Sequence, residues 1–283
     1  MYWTTLIALD SNGRPHIAYY DNQGHAINHA AFDGSAWSIE TAVDDTLATR
    51  DLAMAIDPVD ALHVAFINQH DGILRHAENS GGAWTIEKVD GGNGGEKARD
   101  LPGLAIRSDG EILIGYQVAD VDADAGEIRI ATGRTGLWNF ETAEDLGFEA
   151  AYHSRSTKLA VGADGHAYLI YTHQSASGTV MTARLLTDAT GVWTGEPVGT
   201  VTSSTFDLSV DADGFTHLTQ VNSYKGVFTG PIGPASGRAE SWTSREINTG
   251  AAPRTPVDSA GLVHVLYANA GALRHAQFPL DGP

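Results

Sequence analysis

Gly34-Ser35-Ala36-Trp37, Gly82-Ala83-Trp84, Gly136-Leu137-Trp138 and Gly191-Val192-Trp193 are four versions of one phrase: a glycine turn, then a tryptophan that opens a short strand. Trp3, Trp37, Trp84, Trp138, Trp193 and Trp242 are spread along the whole chain. Recurrence at such a period marks one supersecondary unit copied around or along an axis.

Upstream of each tryptophan a second phrase recurs: apolar strand, tight turn, apolar strand. The first copy reads Leu6-Ile7-Ala8-Leu9-Asp10, then Ser11-Asn12-Gly13, then His16-Ile17-Ala18-Tyr19. Later copies carry Ser108-Asp109-Gly110, Ala163-Asp164-Gly165 and Asp213-Gly214 at the turn. Asp-Gly between two apolar runs signals a hairpin, because glycine accepts the positive φ the turn needs. The second strand is apolar on both faces, as in His63-Val64-Ala65-Phe66, which suits a strand wedged between neighbouring sheets. A third strand follows, as in Leu74-Arg75-His76-Ala77, and the fourth opens at the tryptophan.

Four short strands per unit, no helical periodicity and six units predict an all-β fold, a six-bladed β-propeller of four-stranded blades. The blades fall at approximately 4–49, 50–98, 99–154, 155–202, 203–250 and 251–283 with 1–3. The chain stops at Asp281-Gly282-Pro283, where the next glycine turn is due, so the last blade is expected to be incomplete, with Trp3 wrapping round toward it.

The 283 residues suffice for one propeller and no second domain. No apolar run approaches the ~20 residues of a membrane span. Cysteine is absent, which excludes disulfides, thiolate metal sites and a cysteine nucleophile. The net charge is −18, from 35 acidic against 17 basic residues, and only Lys88, Lys97, Lys158 and Lys225 are lysines. Such a surface repels nucleic-acid phosphates. It suits an acidic secreted or periplasmic protein whose signal is absent from this sequence.

Arginine recurs just before the inner strand: Arg50 in Arg50-Asp51-Leu52, Arg99 in Arg99-Asp100-Leu101, and Arg155 in His153-Ser154-Arg155-Ser156. Three guanidiniums at equivalent places would converge on one rim and bind carboxylate or sulfate bidentately. The alternative is that these arginines tie neighbouring blades together. The same rim is expected to carry His70, His153, His173 and Tyr152, residue types suited to proton transfer. By contrast, His16, His63, His217 and His264 share one repeated strand position, and His29, His76 and His275 another, the signature of structural histidines. Asp120, Asp122 and Asp124 alternate ahead of Gly126, a spacing that could assemble oxygen ligands for calcium. The competing reading is an acidic hairpin tip.

The stretch Ala8 to Asp21, with Gly13-Arg14-Pro15-His16 at its centre, resembles repeats of secreted bacterial propellers. Leu62-His63-Val64-Ala65-Phe66, with His70 and Leu74-Arg75-His76, is similar to the repeat propellers that include ulvan-type polysaccharide lyases. That resemblance implies proton abstraction from a uronic acid by histidine or tyrosine, with arginine neutralising the carboxylate. Sialidase Asp-boxes are not found. The sequence therefore points to a module that binds an acidic oligo- or polysaccharide at an arginine-bearing rim. A lyase using the same rim, and a protein-interaction scaffold, are the rival readings.

Overall fold

The computed structural model describes residues 5–44, 52–68, 70–91, 95–120, 122–147, 154–174, 181–201, 206–211, 216–222, 226–232, 245–247, 251–254, 263–269 and 272–278. They form two compact units, 1–152 and 153–283.

Unit 1 holds three antiparallel four-stranded meanders. The first is β1 (Thr5–Leu9), β2 (Pro15–Asp21), β3 (Ala26–Phe32) and β4 (Trp37–Val43). The second is β5 (Leu52–Ile56), β6 (Leu62–Asn68), β7 (Ile73–Asn79) and β8 (Trp84–Gly91). The third is β9 (Glu96–Ile106), β10 (Ile112–Asp120), β11 (Ala125–Arg134) and β12 (Leu137–Asp145). Unit 2 continues the pattern with β13 (Ser154–Val161), β14 (Ala167–Gln174), β15 (Met181–Thr187) and β16 (Thr194–Val201). Then come β17 (Phe206–Val210), β18 (Thr216–Asn222), β19 (Gly226–Ile232) and β20 (Arg245–Ile247). Three further described strands complete it: β21 (Ala251–Arg254), β22 (Val263–Asn269) and β23 (Ala272–Phe278).

The hairpin turns follow from the Asp-Gly chemistry. The Asp10 carboxylate accepts the backbone N–H of Asn12 (2.9 Å) and Arg14 (2.7 Å), and Gly13 takes φ +73°. In the second meander Asp57 does the same for Val59 and Ala61, but Asp60 stands at the positive-φ position with φ +66°. Aspartate tolerates that conformation better than most residues.

The middle strands are buried along both faces: all but the last residue of β6 and of β10 are inaccessible. One core, with Leu52, Val64, Phe66 and Ala77, packs the first meander on the second. Another, with Ile67, Leu74, Ile114, Tyr116 and Val118, packs the second on the third. Within unit 2, Tyr168, Ile170, Leu185, Phe206 and Leu208 do the same work.

The outer strands are mostly exposed, yet each of the first four carries one extra residue near its end. In every case the ladder skips one residue: Ala42, Val89, Ala143 and Val198. A bulge re-aims a side chain, and here it turns Ala42 and Val89 into the core. The inner strand β9 bulges too: Gly103 pairs with Gly115 and Arg99 with Gln117, leaving Asp100-Leu101-Pro102 opposite Tyr116. Pro102 can donate no ladder hydrogen bond, so a bulge is where it fits. No helix among the described residues is long and apolar enough to cross a membrane.

Candidate functional site

The turn joining β6 to β7 meets β9 at one end of unit 1. Gly72 in the β6–β7 turn accepts a hydrogen bond from the Ala98 N–H of β9 (2.8 Å). At this end a cleft of about 320 Å3 opens on the third meander, lined by Glu96, Asp120, Glu127, Arg129, Thr142 and Asp145.

The cleft is built by strand register. Tyr116 of β10 lies opposite Arg129 of β11, and Val118 opposite Glu127. Alternation therefore aims Tyr116, Val118, Glu127 and Arg129 to one face, the face that packs on the second meander. There the Arg129 guanidinium meets Asp90 of β8 at 2.7 Å, Glu127 at 2.6 Å and Glu96. Tyr116 also donates to Asp90, and Thr142 to Glu127. Burial disfavours the arginine charge, but hydrogen bonds to Glu96 and Asp90 outweigh it and raise its pKa above the ordinary value. Burial and the Asp90 charge together push the Tyr116 hydroxyl far up, so it is a permanent donor. Arg129 thus locks three carboxylates in place, while Asp120 and Asp145 at the mouth lie outside its reach.

Of the residues singled out from sequence, Arg50, Tyr152 and His153 lie outside the described residues, as do the side chain of Arg155 and Trp3 and Trp242. Arg99 is half-buried on β9, beside the Ala98–Gly72 link. His70 is exposed in the β6–β7 turn, its backbone N–H bonded to Asn68 Oδ1 (2.9 Å). That link brings the His70 turn and the Arg99 strand together in unit 1. His173 belongs to unit 2, on β14, where its Nε2 meets the Thr182 hydroxyl at 2.6 Å. The Asp120 carboxylate accepts the N–H of Asp122 (2.9 Å) and of Ala123 (3.1 Å), as hairpin-tip aspartates do. Asp122 and Asp124 are exposed, Asp124 with φ +50°. Among the described residues no three histidine, aspartate or glutamate side chains converge to hold a metal ion.

The repeated histidines form a different structure. His16 Nδ1 meets His29 Nε2 at 2.9 Å, and His29 Nδ1 meets Glu40 at 3.0 Å. Glu40 also accepts Trp84 Nε1 (2.9 Å) and Asn79 (3.1 Å) from the second meander. The same chain runs again through His63, His76 and Glu87, each displaced by 47 residues, and ends on Trp138, 54 residues beyond Trp84. The tryptophan of the repeat thus docks on the preceding sheet, edge-on to its histidine, with centroids 5.7 Å apart for His29–Trp84 and 5.4 Å for His76–Trp138. Sequence reasoning missed Glu40 and Glu87. Their signal was the shared 47-residue offset three residues beyond the tryptophan. It also missed Glu96, Asp145 and Arg129, although Arg75, Arg129 and Arg184 each stand nine residues before a repeat tryptophan.

No protein-family model matches the chain, and no curated protein sequence does. Its fold is that of known β-propellers. It is similar to the α-L-arabinofuranosidase of Fusarium graminearum solved with an iminosugar inhibitor, at 11% identity and TM-score 0.68, covering 98% of this chain and 93% of that one. The arabinanase of Penicillium chrysogenum complexed with arabinobiose matches at 14% identity and TM-score 0.65, covering 98% and 93%. The Aleuria aurantia lectin complexed with Fucα1-6GlcNAc matches at 14% identity and TM-score 0.60, covering 99% and 92%. These neighbours are glycosidases and a lectin, not polysaccharide lyases. The chain is therefore an all-β protein of the β-propeller class.

Acidic excess sets a first expected result. Thirty-five carboxylates against 17 cations repel one another, and the screening length shortens to ~3 Å at 1 M salt. The melting temperature should rise from low to molar sodium chloride. A rise reached selectively at millimolar calcium, and abolished by Asp120→Asn, would instead establish a cation site at Asp120, Asp122 and Asp124.

Proposed function

We propose that the protein is a six-bladed, carbohydrate-binding β-propeller acting outside the cytoplasm, and that the Arg129 cleft is where unit 1 meets the sugar. The observation that carries this reading is the cleft itself. Glu96, Asp120, Glu127 and Asp145 offer acceptors to sugar hydroxyls, a guanidinium sits among them, and its bonds to Glu96 and Glu127 fix those two before any ligand arrives. Solved proteins of similar fold carry arabinobiose and a fucosyl disaccharide, which supports a carbohydrate ligand. The carboxylates around Arg129 outnumber it, so this cleft favours neutral, hydroxyl-rich glycans. An acidic glycan is the second reading. It is favoured by Arg99 on β9, beside the His70 turn.

Calorimetric titration with neutral arabino- and fucosyl-oligosaccharides and with oligouronates tests both readings. The expected result is micromolar-to-millimolar binding of a neutral oligosaccharide, an affinity of about −4 to −8 kcal/mol. Asp145→Ala should weaken it about tenfold, the loss of one hydrogen bond to a charged acceptor. Arg99→Ala should leave it unchanged. Uronate binding that disappears in Arg99→Ala would select the acidic reading, and no binding to either panel would overturn both. Incubation of the same ligands, followed for new reducing ends or for unsaturated-uronate absorbance, separates a binder from a hydrolase or a lyase using His70, His153, His173 or Tyr152.

A further inference from the structure

Two copies of one hydrogen-bonded chain cross unit 1, and carbohydrate binding uses neither. In the second copy Glu87 can only accept, so the proton of that bond sits on His76 Nδ1. His76 Nε2 is then an acceptor, and the proton of the 2.9 Å His–His bond sits on His63 Nδ1. His63 Nε2 is left as a bare lone pair. It is buried, it has no hydrogen-bond partner, and it faces Asp57 Oδ2 at 3.7 Å, too far for a hydrogen bond. The first copy repeats this to a tenth of an ångström: His16 Nε2 stands 3.8 Å from Asp10 Oδ2.

We propose that each chain is a one-proton, pH-sensitive latch between neighbouring sheets, loaded at Nε2 of His63 and of His16. A proton arriving there turns two facing acceptors into a donor and an acceptor, and the imidazolium draws toward the aspartate. That aspartate already caps its own hairpin turn through its other oxygen, so the proton pulls on the turn. A second proton has no place. It would need His76 Nε2, whose lone pair holds the His–His bond. Its arrival breaks the chain that ends at Glu87 and the Trp138 indole.

The groups facing each chain are few. His63 faces Asp57, Glu78 and His76, and His76 faces Glu87 and Glu78. From the third meander come Thr135 onto Glu78, and the Gly136 N–H and Trp138 onto Glu87. His16 faces Asp10, Asp60 and His29. His29 faces Glu40, and Trp84 and Asn79 reach that carboxylate from the second meander.

Burial holds His16, His63 and His76 below the ordinary histidine value, against the pull of the carboxylates. A depressed histidine contributes stability that is present above the unfolded value, near 6.5, and is lost as pH falls from there toward the folded value. Glu40 loses its own contribution only at lower pH. Burial opposes its charge, but the His29 and Trp84 hydrogen bonds hold its carboxyl below the usual glutamate range.

Urea-denaturation midpoints from about pH 7.5 to about pH 5.5 test the latch, a window in which linkage isolates histidine. The wild-type midpoint should fall on acidification. His63→Gln should remove a third or more of that fall. Asp57→Asn keeps the turn acceptor but withdraws the anion that favours the proton, so the fall should steepen. An unchanged slope in His63→Gln, or a shallower one in Asp57→Asn, overturns the proposal. Should either variant fail to fold, imidazole nitrogen NMR of the wild-type protein decides. At neutral pH, His63 must show a protonated Nδ1 and a bare Nε2, and Nε2 must be the first site to protonate. The opposite tautomer refutes the latch.

Discussion

Arg129→Ala is expected to cost about 2–4 kcal/mol, below the range for a fully buried pair because the side chain keeps about a fifth of its exposure. The loss is not that of one ion pair. Removing the guanidinium leaves Asp90, Glu96 and Glu127 facing one another, and takes from Asp90 the cation that balances it beneath Tyr116. The sign of the pH response follows. Without Arg129 the three negative charges repel one another, and acid that removes any of them relieves the repulsion. The deficit should therefore shrink from neutral pH toward about pH 5, and molar salt should recover part of it. Arg129→Lys keeps the charge but not the planar fork that reaches three acids at once, and should recover no more than half. Urea denaturation at two pH values and two salt concentrations reads all of this. A neutral effect of Arg129→Ala would mean that the network does not hold the cleft.

Glu87→Ala is expected to cost about 2–4 kcal/mol, because three donors lose one acceptor group. His76 Nδ1, Trp138 Nε1 and the Gly136 N–H all converge on that carboxylate. Glu87→Gln restores an oxygen but not the charge, and should recover about half. Glu40→Ala should behave like Glu87→Ala, since Glu40 collects His29, Trp84 and Asn79. Val59→Ala, at a side chain 81% exposed, should stay within about 0.5 kcal/mol and serves as the control. If Glu87→Ala matches that control in thermal melting, the tryptophan docking is held by packing alone.

Much of the architecture was legible because it is local. Asp10-Ser11-Asn12-Gly13 makes its turn from its own side-chain and backbone bonds, and Val64-Ala65-Phe66 announces a strand buried on both faces. The site was less legible. Arg50, Arg99 and Arg155 drew notice before the inner strand, whereas the recurrence of Arg75, Arg129 and Arg184 nine residues before Trp84, Trp138 and Trp193 did not single out Arg129. Its role depends on standing opposite Tyr116 in the ladder and on Asp90 being presented by the sheet behind, 39 residues away. The bulges at Ala42 and Val89 are equally invisible, since the residue that a ladder skips is chosen by the partner strand.

What the chain determined by itself is the unit: turn chemistry, strand pattern and a 47-residue displacement that carries Asp10, His16, His29, Trp37 and Glu40 onto Asp57, His63, His76, Trp84 and Glu87. What only tertiary structure decided is which copy each of these residues serves. Within one meander the histidines and the glutamate form a line with no indole to end on. The indole arrives from the next sheet, as Trp84 does on Glu40 across 44 residues. Hydrogen-bonding capacity is a property of residue type, but its satisfaction depends on what packing brings within about 3 Å.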